Sequence, residues 1–120
     1  MKESPLRNKS LDFAVRVVQT SRTLREEKRE FALADQFLRS GTSIGANLSE
    51  AAFAPPSKDF LNKFKISLKE CSETLFWIRL FERCGLLPAN ETESLRADCE
   101  ELRKMLSASC KTVEERLAAQ

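Results

Sequence analysis

Hydrophobic residues recur every three or four positions along most of the chain, which is the period of an α-helix and not of a β-strand. In the second segment they are Ala34, Phe37, Gly41, Ile44, Leu48 and Ala52. In the third they are Leu61, Phe64, Leu68, Cys71, Leu75 and Ile78, and in the fourth Leu95, Cys99, Leu102, Leu106, Cys110, Val113 and Leu117. The pattern predicts an all-α fold.

The first segment has two neighbouring apolar faces. Phe13, Val17 and Leu24 lie on one of them, and Leu11, Ala14 and Val18 lie on the other. So wide an apolar arc predicts that the first helix contacts more than one neighbour.

Residues that cap helices stand before three of the four segments. Their side-chain oxygens can accept hydrogen bonds from the free N–H groups of a first turn. The candidates are Ser4, Asn8 or Ser10 for the first helix, Ser57 for the third, and Asn90 for the fourth. Glu93, three residues after Asn90, would complete a capping box.

Proline and glycine indicate where the second and third helices end. Pro55 and Pro56 stop the second, and Gly85 with Pro88 ends the third. Between Glu26 and Glu30 there is neither residue, so the first boundary is the least defined. The predicted helices are 9–28, 31–54, 58–84 and 90–117. Short connections between them predict an antiparallel, up-down-up-down four-helix bundle in a single domain, residues 1–120.

Two glycines lie inside the second helix, where each is less favourable than alanine by about 1 kcal/mol. Gly41 is on the apolar face and Gly45 is at its edge. Close approach of another helix would compensate for both, so we expect a tight contact there.

Composition excludes several classes of protein. The chain has 42% hydrophobic and 32% charged residues, with three glycines and four prolines, which argues against disorder and against a loop-rich β fold. It has four cysteines without a C-x-x-C pair, and no histidine, so no metal site or cofactor is predicted. The first ten residues are polar and no apolar run approaches a membrane span, so the predicted location is a reducing cytoplasm.

Candidate catalytic groups are few, and we predict that the chain is not an enzyme. Histidine, the commonest general base, is missing. Residues 40–45 superficially suggest a phosphate-binding loop, but no strand precedes them and the loop lysine is absent. Glu50, Glu70 and Glu73 could form a carboxylate site. Solvation, or pairing with Lys63 or Lys69, is the favoured alternative.

The net charge of +2 is unevenly distributed along the chain. Residues 1–29 contain eight basic and four acidic side chains, and 58–85 contain six and four. Residues 30–57 contain one basic and three acidic side chains, and 86–120 contain five and seven. Either neighbouring helices carry complementary charges, which we favour, or the bundle has one positive face.

Two rows of basic residues are candidate nucleic-acid contacts, although a solvated face is the default reading of each. The first row comprises Arg22, Arg25 and Arg29. The second lies on the third helix, with Phe76 among its members, and comprises Lys58, Lys65, Lys69 and Arg83.

Two further strips are candidate surfaces for an oligomer. On the second helix a polar strip consists of Arg39, Ser40, Ser43, Asn47 and Glu50. On the third a mixed strip consists of Ile66, Glu70, Glu73, Trp77 and Leu80. Tryptophan is enriched at interfaces, so we predict that these strips form a subunit contact. The alternatives are a solvated second helix and a broad core that includes Trp77.

Several motifs together resemble the bacterial 23S rRNA-intervening sequence protein family. They are Arg39-Ser40-Gly41-Thr42-Ser43-Ile44-Gly45-Ala46-Asn47, Glu50-Ala51, Lys58-Asp59-Phe60, Lys69-Glu70, Glu73-Thr74, Trp77 and the run from Asp98 to Leu102. The resemblance implies a compact bundle that assembles into a ring-like homo-oligomer, a pentamer, without enzymatic activity or cofactor.

The resemblance also suggests partners. Related bundles include the accessory variability determinant of diversity-generating retroelements, a positively charged pentamer that binds RNA and a reverse transcriptase. We therefore expect this chain to bind itself, and RNA or a nucleic-acid-processing protein, but no membrane and no small-molecule substrate. A protein–protein scaffold without a nucleic-acid role is the alternative.

Overall fold

The computed structural model describes residues 4–51 and 57–120, which form four α-helices. They are α1 (Pro5–Glu26), α2 (Phe31–Ala51), α3 (Lys58–Cys84) and α4 (Ala89–Ala118). Consecutive helices pack against each other, and α1 packs against α4. Since α1 and α3 do not pack together, they occupy diagonal corners of a bundle about 51 Å long. The predicted antiparallel four-helix bundle is confirmed.

Two of the predicted caps are confirmed. The Ser4 hydroxyl accepts a hydrogen bond from the Arg7 backbone N–H at 3.3 Å, so α1 begins at Pro5, four residues before the predicted start. Ser57 accepts from the Phe60 N–H at 3.2 Å and caps α3. Both serines satisfy donors that have no partner within their own helix.

The predicted cap of α4 is wrong, because Asn90 lies inside the first turn. Pro88, the residue before the helix, is extended, and α4 begins directly after it at Ala89. The Pro88 carbonyl accepts from the N–H groups of Glu91 and Thr92, at 3.0 and 3.1 Å. Since proline fixes its own φ, it determines where α4 starts without a side-chain cap.

The ends of α1 and α3 differ in how clearly the sequence indicates them. Gly85 has φ 67° and caps α3 as predicted. Arg29 has φ 60°, and the reversal that follows α1 passes through it, so α1 ends at Glu26 instead of residue 28. The predicted end of α2 at residue 54 and its stop at Pro55–Pro56 lie outside the described residues.

The core consists of the apolar stripes that the periodicity identified. Phe37 of α2 and Phe81 of α3 are fully buried and meet edge to face, with ring centroids 5.2 Å apart. Gly41 is buried where α2 contacts α1: a Cβ added to it would lie 2.6 Å from Val17 Cγ2. The expected close approach at Gly41 is therefore present.

Ion pairs join neighbouring helices around the bundle. Between α1 and α4, Arg16 contacts Asp98 at 2.7 Å and Lys9 contacts Glu101 at 2.9 Å. Other pairs connect α1 to α2, α2 to α3 and α3 to α4. This arrangement agrees with complementary charges on neighbouring helices and not with a single positive face.

None of the described helices combines the length and the apolar character that crossing a membrane requires.

Candidate interaction surfaces

Four residues of the two predicted interface strips contact each other within one chain. Arg39 Nη1 lies 3.1 Å from Glu70 Oε2, and Arg39 Nη2 pairs with Glu73. The Trp77 indole N–H donates to Glu73 Oε2 at 3.1 Å. We call these residues the Arg39 cluster. It connects α2 to α3, and it remains half-exposed on the surface of the bundle.

Ser40 does not belong to an exposed strip, so its assignment to a subunit contact is wrong. It is fully buried, and its Oγ lies 2.9 Å from Thr74 Oγ1 of α3. One helical turn further along, the Ser67 hydroxyl donates to the Ile44 carbonyl at 2.8 Å. A small hydroxyl is readily buried when it has a hydrogen-bond partner. The polar residues of α2 therefore include part of its contact with α3, and the sequence pattern alone did not predict this.

The rest of the α2 strip is also bonded within the chain. Ser43 and Asn47 are half-buried and donate to carbonyls one turn earlier, at 2.6 and 2.9 Å. Glu50 pairs with Lys63 of α3 at 2.5 Å. For Glu70 and Glu73 we expected solvation, or pairing with Lys63 or Lys69, but both carboxylates pair with Arg39. Over residues 4–51 and 57–120, no group of three or more acidic or cysteine side chains could hold a metal ion.

An apolar surface on α1 was not among the predicted contacts. Leu11 and Val15 are one turn apart and are 66% and 50% exposed, and Val18 beside them is half-buried. We call these three residues the α1 stripe. The predicted second apolar face of α1 included Leu11 and Val18 but not Val15. α1 does contact both α2 and α4, yet neither neighbour covers Leu11 or Val15.

The outer side of α3 carries the second apolar surface. Ile66, Trp77 and Leu80 are half-buried, and Phe76 is 57% exposed. The Phe76 and Trp77 rings meet edge to face, with centroids 5.1 Å apart. Since α1 and α3 are diagonal in the bundle, the two apolar surfaces lie on opposite sides of the molecule.

The structure does not join the predicted basic rows into one surface. Arg25 pairs with Asp35 at 2.5 Å, and both Arg25 and Arg29 approach the Phe31 ring. Lys65 pairs with Glu114 at 3.3 Å. Of the seven residues in the two rows, Arg22, Arg29, Lys58, Lys69 and Arg83 are exposed and have no ion pair among the described part of the chain. Lys58 lies at one end of the bundle, whereas Arg22, Arg29 and Arg83 lie toward the other.

Arg83 belongs to an open cleft between the end of α3 and the start of α4. The cleft has a volume of about 640 Å³ and is lined by Phe76, Arg79, Leu80, Glu82, Arg83 and Arg96. Sequence reasoning singled out Phe76 and Arg83 but missed Arg79, although spacing of three and four residues places all three on one side of α3. Arg96 comes from α4 and could not be found from local spacing.

Three of the four cysteines are buried, as their apolar positions predicted, and Cys84 is exposed. Cys71 Sγ and Cys99 Sγ lie 3.6 Å apart. The hydrogen bond to Cys71 and burial together raise the pKa of the Cys99 thiol far above its ordinary value. Burial also raises the pKa of Cys110. Thiols held in the protonated form are poor nucleophiles, so these groups contribute packing.

Comparison with known proteins identifies similar folds but no activity. The family model for 23S rRNA-intervening sequence proteins matches residues 2–108. A crystal structure from Bacteroides thetaiotaomicron, of a protein with unknown function from the S23 ribosomal protein family, has 43% sequence identity and a TM-score of 0.86. The similarity covers 88% of this chain and 98% of that one. No curated protein matches the chain.

Proposed function

Because the chain belongs to the 23S rRNA-intervening sequence protein family, we propose a role for it from the surfaces of this fold. The protein is a non-catalytic bundle that assembles with copies of itself and associates with RNA. The α1 stripe is the observation that supports self-assembly, because Leu11 and Val15 expose apolar surface that none of the described residues of their own chain covers.

The positions of the apolar surfaces favour a ring. A contact between two different surfaces of identical subunits is heterologous, and it closes into a ring when the rotation between neighbours permits. Here the α1 stripe of one copy packs against Ile66 and Trp77 of the next. The Arg39 cluster lies beside that contact. Five copies is the number implied by the family resemblance.

Exposed basic residues support the association with RNA. Arg22, Lys58, Lys69 and Arg83 have no ion pair among the described residues, and a ring would repeat each of them in every subunit. Repetition raises the local positive potential although each chain has a net charge of only +2.

The cysteines support a reducing cytoplasm as the place where the protein works. Three of the four are buried, where they pack as small apolar groups in the reduced form. Disulfides are rare in reducing compartments.

Light scattering coupled to size exclusion tests the assembly. We expect the wild type to elute near five times 13.6 kDa, and Leu11→Glu to elute as a monomer because it buries an unpaired charge in the contact. Trp77→Ala should weaken assembly more than it lowers the melting temperature. Phe31→Glu, at an exposed aromatic outside both surfaces, is the matched control and should assemble normally. A monomeric wild type contradicts the proposal.

Titration of nuclease-treated protein with a structured RNA tests the second part. Binding should weaken steeply as salt rises, because contacts to phosphates release counterions. A flat, salt-independent titration would remove RNA from the proposed function and leave the assembly intact.

A protein–protein scaffold without RNA is the second candidate. It is favoured by the low net charge and by the intrachain pairing of Arg25 and Lys65, which removes two of the predicted phosphate contacts. Affinity purification with the wild type and with Leu11→Glu separates the candidates. Recovery of RNA without a protein partner would exclude the scaffold.

A further inference from the structure

The cleft between α3 and α4 is lined by both charged and apolar side chains, and the packing of the bundle does not account for this combination. Its wall on α3 is formed by Phe76, Arg79, Leu80 and Arg83, on successive turns. Arg96 and Glu82 meet across the two helices at 3.5 Å. The cleft is open to solvent, and a ligand bound in it would contact side chains of both helices.

Two guanidinium groups in the cleft are available to a ligand. Arg79 and Arg83 are exposed, one turn apart, and have no ion pair among the residues that the structure describes. Arg83 lies in the last turn of α3, where the helix dipole alone favours a cation. Arg79 lies one turn earlier, where the helix dipole does not account for a cation. With Arg96 and Glu82, the lining has a net charge of +2.

Phe76 distinguishes this cleft from a simple anion site. Phe76 is 57% exposed although it is one of the largest apolar residues in the chain, and Leu80 extends the apolar floor. Its ring is held edge to face against Trp77, so it is positioned by a neighbour and not by the core. An exposed aromatic ring beside arginines is the arrangement on which nucleic-acid bases stack while their phosphates are neutralised.

We propose that this cleft binds a nucleotide of single-stranded RNA. The base stacks on Phe76, and Arg79 and Arg83 contact the phosphates on either side of it. Glu82 can accept a hydrogen bond from an exocyclic amino group of the base. The exposed Phe76 ring gives a base a stacking surface that the carboxylates of an acidic peptide cannot use, so the lining favours RNA over such a peptide. This inference rests on the proposed association with RNA and assigns it a site.

Fluorescence anisotropy with a labelled single-stranded RNA of about twelve nucleotides tests the site in the full-length protein. Loss of one stacked base should weaken binding about tenfold or more in Phe76→Ala. Phe76→Trp retains a stacking surface and should bind close to wild type. Phe31→Ala removes another exposed aromatic ring that lies near arginines but outside the cleft, and it should have no effect.

The arginines are tested through the dependence of binding on salt. Each phosphate contact to a single strand contributes about 0.7 to the slope of log K against log salt. Replacing Arg79 and Arg83 together by alanine should therefore lower the magnitude of the slope by about 1.4. Lys104→Ala with Lys111→Ala removes the same charge from exposed positions on α4 and should leave most of the slope intact.

The outcomes separate the site from the proposed function. If Phe76→Ala binds RNA as tightly as the wild type and melts at the same temperature, the proposed site in the cleft is wrong. The proposed association with RNA is then unaffected. A wild type that binds the structured RNA but not the single strand at about 50 mM salt overturns the cleft alone, and one that binds neither overturns both. If a labelled peptide rich in glutamate and phenylalanine binds in a Phe76-dependent manner and RNA does not, the cleft is a peptide site and the proposal is wrong.

Discussion

Gly41 determines how closely α1 and α2 approach each other. A Cβ at this position would lie 2.6 and 2.8 Å from the two Cγ atoms of Val17, which is closer than carbon atoms pack. Val17 is fully buried and β-branched, so its side chain has little freedom to move away. Glycine lowers the stability of the helix relative to alanine, but its lack of a Cβ leaves the space in which Val17 packs.

We expect Gly41→Ala to lower the free energy of unfolding by about 1–2 kcal/mol, since overpacking outweighs the gain in helix propensity. Gly41→Leu should be more severe. Urea denaturation followed by circular dichroism measures both.

Gly45→Ala is the matched control, because its Cβ would lie 3.2 Å from the Ser10 hydroxyl oxygen and would meet no other atom closer than 3.6 Å. There the gain in propensity should offset the contact, leaving stability nearly unchanged. Equal effects at Gly41 and Gly45 would contradict the role assigned to Gly41.

Thiol reactivity should follow burial. In the native protein we expect one equivalent of a disulfide reagent to react quickly, at Cys84, and the other three cysteines to react only on unfolding. The reaction is followed by absorbance in buffer and then in denaturant. Cys84→Ala is the control and should abolish the fast phase. Rapid reaction of a second thiol in native protein would contradict the burial of the other three.

The raised pKa of Cys99 also has a consequence for stability. The folded state keeps its proton, whereas the unfolded chain loses it above the ordinary value of 9.0, so unfolding is favoured as pH rises beyond that value. The contribution is complete below pH 9 and declines as the pH rises above that value. Cys99→Ala should show a shallower decline in denaturation midpoints between pH 9 and 10.

At the scale of the helices, the Arg39 cluster connects α2 to α3. Arg39 pairs with two carboxylates, one of which also accepts from the Trp77 indole. Glu70 is the least exposed of the charged members, with 15% of its side chain accessible. Partial burial strengthens such contacts relative to isolated surface pairs.

We predict that Arg39→Ala shifts the fluorescence of Trp77 to longer wavelength and makes it more accessible to acrylamide. The chain has only one tryptophan, so all of the tryptophan emission comes from this residue. Stability should fall by about 1 kcal/mol or less, since exposed ion pairs contribute little. Arg103→Ala, which breaks an ion pair within α4, should leave the emission unchanged.

The helices show which features sequence patterns can predict. Ser57 and Gly85 were located correctly because a cap depends on one or two local residues. The end of α1 was missed because Arg29, and not glycine, adopts the left-handed conformation. Ser40 was misassigned because the burial of a hydroxyl depends on Thr74, which is 34 residues away. The cleft was found only in part because Arg96 comes from another helix.

At the scale of the molecule, self-assembly should appear as a stability that depends on concentration. Only folded chains associate with each other. The melting temperature of the wild type should therefore rise by a few degrees for each tenfold increase in protein concentration. Leu11→Glu should melt at one temperature at every concentration. Calorimetry over two decades of concentration measures both, and a constant wild-type melting temperature would count against assembly.

The pairing of consecutive helices also bears on how quickly the chain folds. Among the described helices, most contacts join helices that follow each other along the chain. The contact between α1 and α4, which we call the α1–α4 seam, connects segments that are distant in sequence. Such local topology is associated with folding in microseconds to milliseconds. That seam carries the Arg16–Asp98 and Lys9–Glu101 pairs. We expect the seam to close last, so that Asp98→Ala accelerates unfolding in stopped-flow experiments while the rate of folding stays nearly constant.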